Sequence, residues 1–90
     1  MLKHIAKLKK FSLMINGQEV SYILYKQAGK YLDLYETVTQ KELEGNGYAT
    51  RLAEKVFEDC LNQGIKLKLS CTFLQHIYNK NQSKYEHLLS

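Results

Sequence analysis

The hydrophobic period of this chain turns from alternating to helical between Thr39 and Ala49, and that change limits the possible folds more than any other feature. Upstream, apolar residues alternate with polar ones. Phe11, Leu13 and Ile15 alternate with Ser12, Met14 and Asn16, the period of a half-buried strand. Asn16-Gly17 follows, a pair that favours a type I′ hairpin because both central positions need positive φ. A second strand over 18–26 is expected to place Val20, Tyr22 and Leu24 on one face. Gly29 marks the next turn. A third strand over 31–38 carries Leu32 and Leu34 on one face and Tyr31, Asp33 and Tyr35 on the other. Three strands joined by short turns make an antiparallel meander.

Downstream the period becomes helical. Ala49, Leu52, Ala53, Val56, Phe57 and Cys60 form one stripe, and Arg51, Glu54, Lys55, Glu58 and Asp59 hold the other face. Thr39-Gln40-Lys41-Glu42 has the T-x-x-E spacing of a capping box. Gly64 fits the position just past the helix end. Ile65, Leu67 and Leu69 alternate with Lys66 and Lys68 as a further strand. Leu74, Ile77 and Tyr78 predict a second helix. Ser83-Lys84-Tyr85-Glu86 repeats the capping-box spacing before a short tail with Tyr85, Leu88 and Leu89 inward. The order is β-β-β-α-β-α. A helix links the third and fourth strands, which predicts a parallel, right-handed crossover. The expected fold is an α+β mixed sheet in one domain, 1–90, with no element assigned to residues 1–10.

Ninety residues leave no room for a separate substrate domain. A hydrophobic fraction of 44% and a charged fraction of 24% argue against intrinsic disorder. The net charge of +4 raises the question of nucleic acid, but the surplus is not a stripe. Residues 1–30 hold six lysines against one acid, 31–60 three bases against seven acids, and 61–90 four lysines against one acid. Two cysteines without a secretory signal suggest free thiols and a cytoplasmic location. No apolar run is long enough to span a membrane, and the two Cys and three His show no metal-ligand spacing.

Gly45-Asn46-Gly47-Tyr48-Ala49-Thr50 sits between a strand and the N-terminus of the strongest predicted helix. Such an end offers unpaired N–H groups and partial positive charge. Glycines let the backbone close on an anion. The segment is therefore either a pyrophosphate cradle or a plain turn. It is not a Walker loop, for no Lys-Ser/Thr pair follows, and it lacks the third glycine of a dinucleotide fingerprint.

With these residues in view, the sequence resembles the GNAT superfamily of N-acetyltransferases. Its acyl-CoA signature, Q/R-x-x-G-x-G/A, falls on Glu44 to Ala49, with Gly47 and Ala49 matching and Glu44 departing. A closer resemblance, over about Phe11 to Leu88, is to a subfamily of very small GNAT-like proteins. It rests on Phe11-Ser12-Leu13, on Tyr35-Glu36-Thr37-Val38-Thr39, where relatives often carry His at the place of Glu36, on Ser70-Cys71-Thr72-Phe73, and on Ser83-Lys84-Tyr85.

The resemblance implies acetyl-CoA as cosubstrate. Its pantetheine arm would pair with the backbone of Val38 and Thr39, and its pyrophosphate would meet the N–H groups of Gly45, Asn46, Gly47, Tyr48, Ala49 and Thr50. The thioester would lie near Cys71, the candidate nucleophile or acid for the leaving thiolate; Cys71 is equally in phase with Leu67 and Leu69 as a small core residue. Glu36 is a candidate general base for the amine, or an exposed strand acid. Cys60 lies on the helix stripe and reads as core. His76 is five residues from Cys71, an offset that does not bring the two together on one helix. Tyr78 is a candidate partner of the leaving thiolate or a core residue, and Lys80 and Lys84 could meet the 3′-phosphate or lie on a solvated face.

The expected function is transfer of acetyl to an unidentified amine, possibly of a peptide or protein. The alternative is a CoA-binding module with little activity. A double-stranded RNA-binding domain also runs a meander into a helix opened by glycines, but its phosphate-gripping lysine pair is missing here. No nucleic-acid or membrane partner is expected.

Overall fold

Asn16 and Gly17 take left-handed φ values of 53° and 78°, so the hairpin closes where the sequence puts it. It joins strand β2 (Lys10–Ile15) to β3 (Gln18–Ala28), and a turn at Gly29 returns the chain into β4 (Tyr31–Thr39), antiparallel to β3. The computed structural model describes residues 1–89; Ser90, the last residue of the expected domain, lies outside the described residues. Helix α1 (Tyr48–Gln63) then leads to β5 (Lys66–Leu69), which pairs with β4 in parallel. Helices α2 (Thr72–Lys80) and α3 (Gln82–Tyr85) and a 3₁₀ turn over Glu86–Leu88 follow.

The first residues add a strand that their pattern does not announce. β1 (Leu2–Ile5) pairs antiparallel with β2, giving a five-stranded sheet in the order β1-β2-β3-β4-β5. Leu2 and Ile5 have no period-two repeat. The strand forms because the edge of β2 is there to receive it: Met1 and Met14 exchange N–H···O bonds of 2.8 Å.

All the helices lie on one face of this sheet. Leu52, Ala53, Val56, Phe57 and Cys60 of α1 are fully buried against Phe11, Leu13, Ile23, Leu34 and Leu67. Burying one such large side chain is worth about 1.5–3 kcal/mol, so this interface holds the fold. Gly64 ends α1 in a left-handed conformation, with φ 71°. α2, α3 and the last turn pack beside α1, adding Leu74, Ile77, Tyr85 and Leu88 to the same core. The Tyr85 ring meets Phe57 edge-on at 5.1 Å between centroids.

Two bulges change which side chains face the helices. The register slips between Leu13 and Met14, where Val20 of β3 is the extra residue, and again opposite Leu24 and Tyr25, where Tyr35 of β4 is extra. Hence Ser21, Ile23 and Tyr25 are buried along with Val20, whereas Tyr22 and Leu24, expected on Val20's face, are only half-buried. Neither capping box forms. Thr39 stays in β4 and meets the Ser21 hydroxyl at 2.9 Å, while Ser83 lies inside α3.

Candidate active site

β4 and β5 pair only from Tyr31 with Lys66 to Leu34 with Leu69. There the amides of Ser70 and Cys71 both donate to the carbonyl of Leu34, at 3.0 and 3.2 Å. The double bond turns the chain out of β5 into α2, and residues 35–39 of β4 continue with no strand on that side. The Tyr35 bulge then resets the alternation. Thr37, opposite buried Ile23, and Thr39, opposite Ser21, face the helices. Glu36, opposite Leu24, and Val38, opposite Tyr22, face the bare side.

The wedge opens onto a cleft of about 410 Å³. Its walls are Thr37 and Thr39 of β4, the glycine loop with Gly45 and Gly47, Thr50 of α1 and Phe73 of α2. Leu43, Glu44, Tyr48 and Ala49 complete it. The loop is shaped by its own residues. A 3₁₀ turn over Lys41–Leu43 leads into it, and the Asn46 amide donates to the Leu43 carbonyl at 2.9 Å. Gly45 and Gly47 have φ of 88° and 77°, which residues with a Cβ rarely adopt. A Cβ at either would meet nothing within 4 Å, so the backbone here is open to an incoming group.

The first helical bond of α1 runs from Arg51 N to Gly47 O at 3.0 Å. The N–H groups of Tyr48, Ala49 and Thr50 therefore have no acceptor within the helix, and they carry its partial positive charge at the cleft. The donors suit a pyrophosphate; the exposed Glu44 is the one acid among the lining residues.

Cys71 stands at the other end of the wedge. It is the N-cap of α2, half-buried, with its Sγ 3.5 Å from Thr37 Oγ1. Thr37 thus touches the thiol and lines the cleft, tying the two together. Thr37 shares its face with Thr39, two residues on, which is the signal in the sequence that could have singled it out. Phe73, the last residue of the Ser70-Cys71-Thr72-Phe73 segment, also lines the cleft, as does Leu43, which the sequence pattern did not single out.

The other candidates are dispersed. The Val38 side chain faces away, and its carbonyl accepts from Ser21 Oγ at 2.8 Å. Glu36 is exposed on the bare face and does not line the cleft. The Asn46 side chain is used within the loop. His76 is exposed on α2 between buried Leu74 and Ile77. Tyr78 lines a separate hollow with Leu69 and Leu89. Lys80 is exposed, and Lys84 pairs with Glu58 at 3.6 Å. Burial pushes the Cys60 thiol up to about 12, with help from Asp59, as for a core residue. Among the described residues no group of three or more His, Cys, Asp or Glu could hold a metal ion, and no helix is long and apolar enough to cross a membrane.

A mixed sheet that splays beside a glycine-opened helix defines an α+β domain of the N-acetyltransferase type. Residues 10–88 match the sequence model of the family described as GCN5-related N-acetyl-transferase, and the chain belongs to that family. It is 28% identical over 82 residues to Protein NATD1 of Xenopus tropicalis, covering 89% of this chain and 75% of that protein. Protein NATD1 of Homo sapiens is 26% identical over 82 residues, with 89% and 73% covered. The NMR solution structure of a GCN5-like protein from Staphylococcus aureus matches with a TM-score of 0.70 at 22% identity, over 100% of this chain and 87% of that one. That last likeness is one of fold. Strand β1 precedes the matched residues.

Proposed function

We propose that residues 1–90 are a single acetyl-CoA-dependent N-acetyltransferase domain, working in the cytoplasm on a primary amine of a peptide or protein. The observation that carries this is the continuity of one wedge. It runs from the main-chain donors at the start of α1, past Thr37, to the thiol of Cys71. The location is supported by two cysteines that are both free thiols.

The residues divide the work by position. The backbone from Gly45 to Thr50 holds the pyrophosphate. The β5-facing edge of β4 at Thr39 receives the amide-bearing arm, beside Val38, whose carbonyl is turned to Ser21 of β3. Acetyl-CoA supplies an activated thioester. The transfer forms a C–N bond, breaks a C–S bond, removes one proton from the amine and returns one to the departing sulfur. Cys71 serves the sulfur side, carrying the acetyl group in transit or protonating the thiolate. Glu36, on the face with no helices, takes the proton from an amine arriving there. A second function, a CoA-binding module with little turnover, is favoured by the position of Glu36 outside the cleft lining.

Calorimetry with CoA tests the shared requirement of both. Saturable binding tighter than about 1 mM, or about −4 kcal/mol, is expected. Absence of any heat of binding at millimolar CoA would exclude both functions.

A further inference from the structure

The sheet face opposite the helices holds one side chain that the fold does not explain. Asp33 is 4% exposed, and its Oδ1 has no hydrogen-bond partner. A buried carboxylate oxygen without a donor is costly, and native structures keep few of them. The lysines paired with it in register leave it alone. Lys26 of β3 and Lys68 of β5 are its register neighbours, but neither ion-pairs with it, and both side chains are exposed. The Lys26 ammonium lies 5.9 Å from the centroid of the Tyr35 ring instead. Glu19, by contrast, on the same face, has its Oε2 engaged by both Lys10 and Ser12.

The position of Asp33 gives the vacancy a use. It is the residue before Leu34, whose carbonyl marks the point where β4 and β5 part and where Cys71 is anchored. Its side chain lies on the bare face, with Tyr31 two residues before it and Tyr35 at the bulge beyond. Glu36 follows on the same face. We propose that Asp33 binds the ammonium group of the acceptor, which approaches the wedge from the helix-free face while the cofactor lies in the cleft on the other. The near-complete burial of Asp33 selects a primary ammonium on a slender chain, such as a lysine side chain, over a branched or bulky amine. The orphan oxygen gains the donor it lacks, and a charge-assisted bond of this kind is stronger than a neutral one. The proposal rests on the acetyltransferase function for its meaning, but the binding step is measurable without the cofactor.

The test is an NMR titration of the chain without CoA, using Nα-acetyl-lysine methylamide as the probe and the norleucine analogue as its uncharged match. The Asp33 carboxyl carbon and the Tyr35 and Lys68 amides should shift saturably with the lysine probe only. Asp33→Asn should lose that response, melt at the same temperature as the wild type or higher, and keep its affinity for CoA. Equal shifts with the norleucine probe, no shift at Asp33, or an unchanged response in Asp33→Asn would overturn the proposal. Should Asp33→Asn fail to fold, the comparison of the two probes on the wild type decides alone. Failure of the wild type to bind CoA would remove the acetyltransferase function and leave this result standing.

Discussion

Cys71→Ala lowers amine acetylation about a hundredfold or more, while CoA affinity and melting temperature stay close to wild type. Loss of a positioned acid or base typically costs 10²–10⁴ in rate, and loss of a nucleophile no less. The fold should tolerate the change, because Cys71 is only half-buried and its backbone bonds to Leu34 and Gln75 do not involve the thiol. Cys71→Ser separates polarity from sulfur chemistry. It can keep the contact with Thr37 and should still be slow. Steady-state rates with acetyl-CoA and an amine panel read the effect. Turnover within about threefold of wild type would remove Cys71 from the chemistry and return it to the role of a small residue at a helix start.

Gly47→Val acts on binding instead. Gly47 is the N-cap of α1 at φ 77°, so any side chain pays left-handed strain of about 1–2 kcal/mol, and a β-branched one suffers most. Its Cβ would meet no atom within 4 Å beyond its own chain neighbours, so the Cβ itself has room. What the new side chain does obstruct is the approach to the N–H groups of Tyr48, Ala49 and Thr50. CoA affinity should fall about 10- to 100-fold, equivalent to about 1.4–2.7 kcal/mol, beyond any loss of folded protein. Calorimetry on the folded fraction checks it; an unchanged Kd would mean that the loop is a turn and not a cradle.

The helix from Tyr48 to Gln63 was legible because its stripe of Leu52, Ala53, Val56, Phe57 and Cys60 could only be one face of a helix, and all five are buried. The hairpin at Asn16-Gly17 was legible for a local reason too, since both residues must take positive φ. Features that depend on a partner were not. β1 exists because β2 has a free edge. The buried face of β3 depends on bulges at Val20 and Tyr35, and a bulge shifts side-chain parity without altering the alternation of the sequence. Thr39 could not cap a helix once its hydroxyl met Ser21.

The site divides the same way. Glycines before a helix are visible as spacing, but the contact between Thr37 and Cys71 joins residues 34 apart in sequence. It exists only because Leu34 binds two successive amides at the end of β5. Asp33 looked like an ordinary acid on the outer face of a strand. Its burial shows only once β3 and β5 flank it on both sides, a pairing that the alternation of the strand does not reveal.

An NMR titration of the wild-type chain with acetyl-CoA is the most direct test of the wedge as a cofactor site. Amide shifts should concentrate at Gly45, Gly47, Tyr48, Ala49 and Thr50, with a second group at Thr37 and Cys71, and the bare face around Tyr22 and Leu24 should stay silent. No shifts at millimolar acetyl-CoA, or shifts centred away from the glycine loop and Cys71, would contradict it.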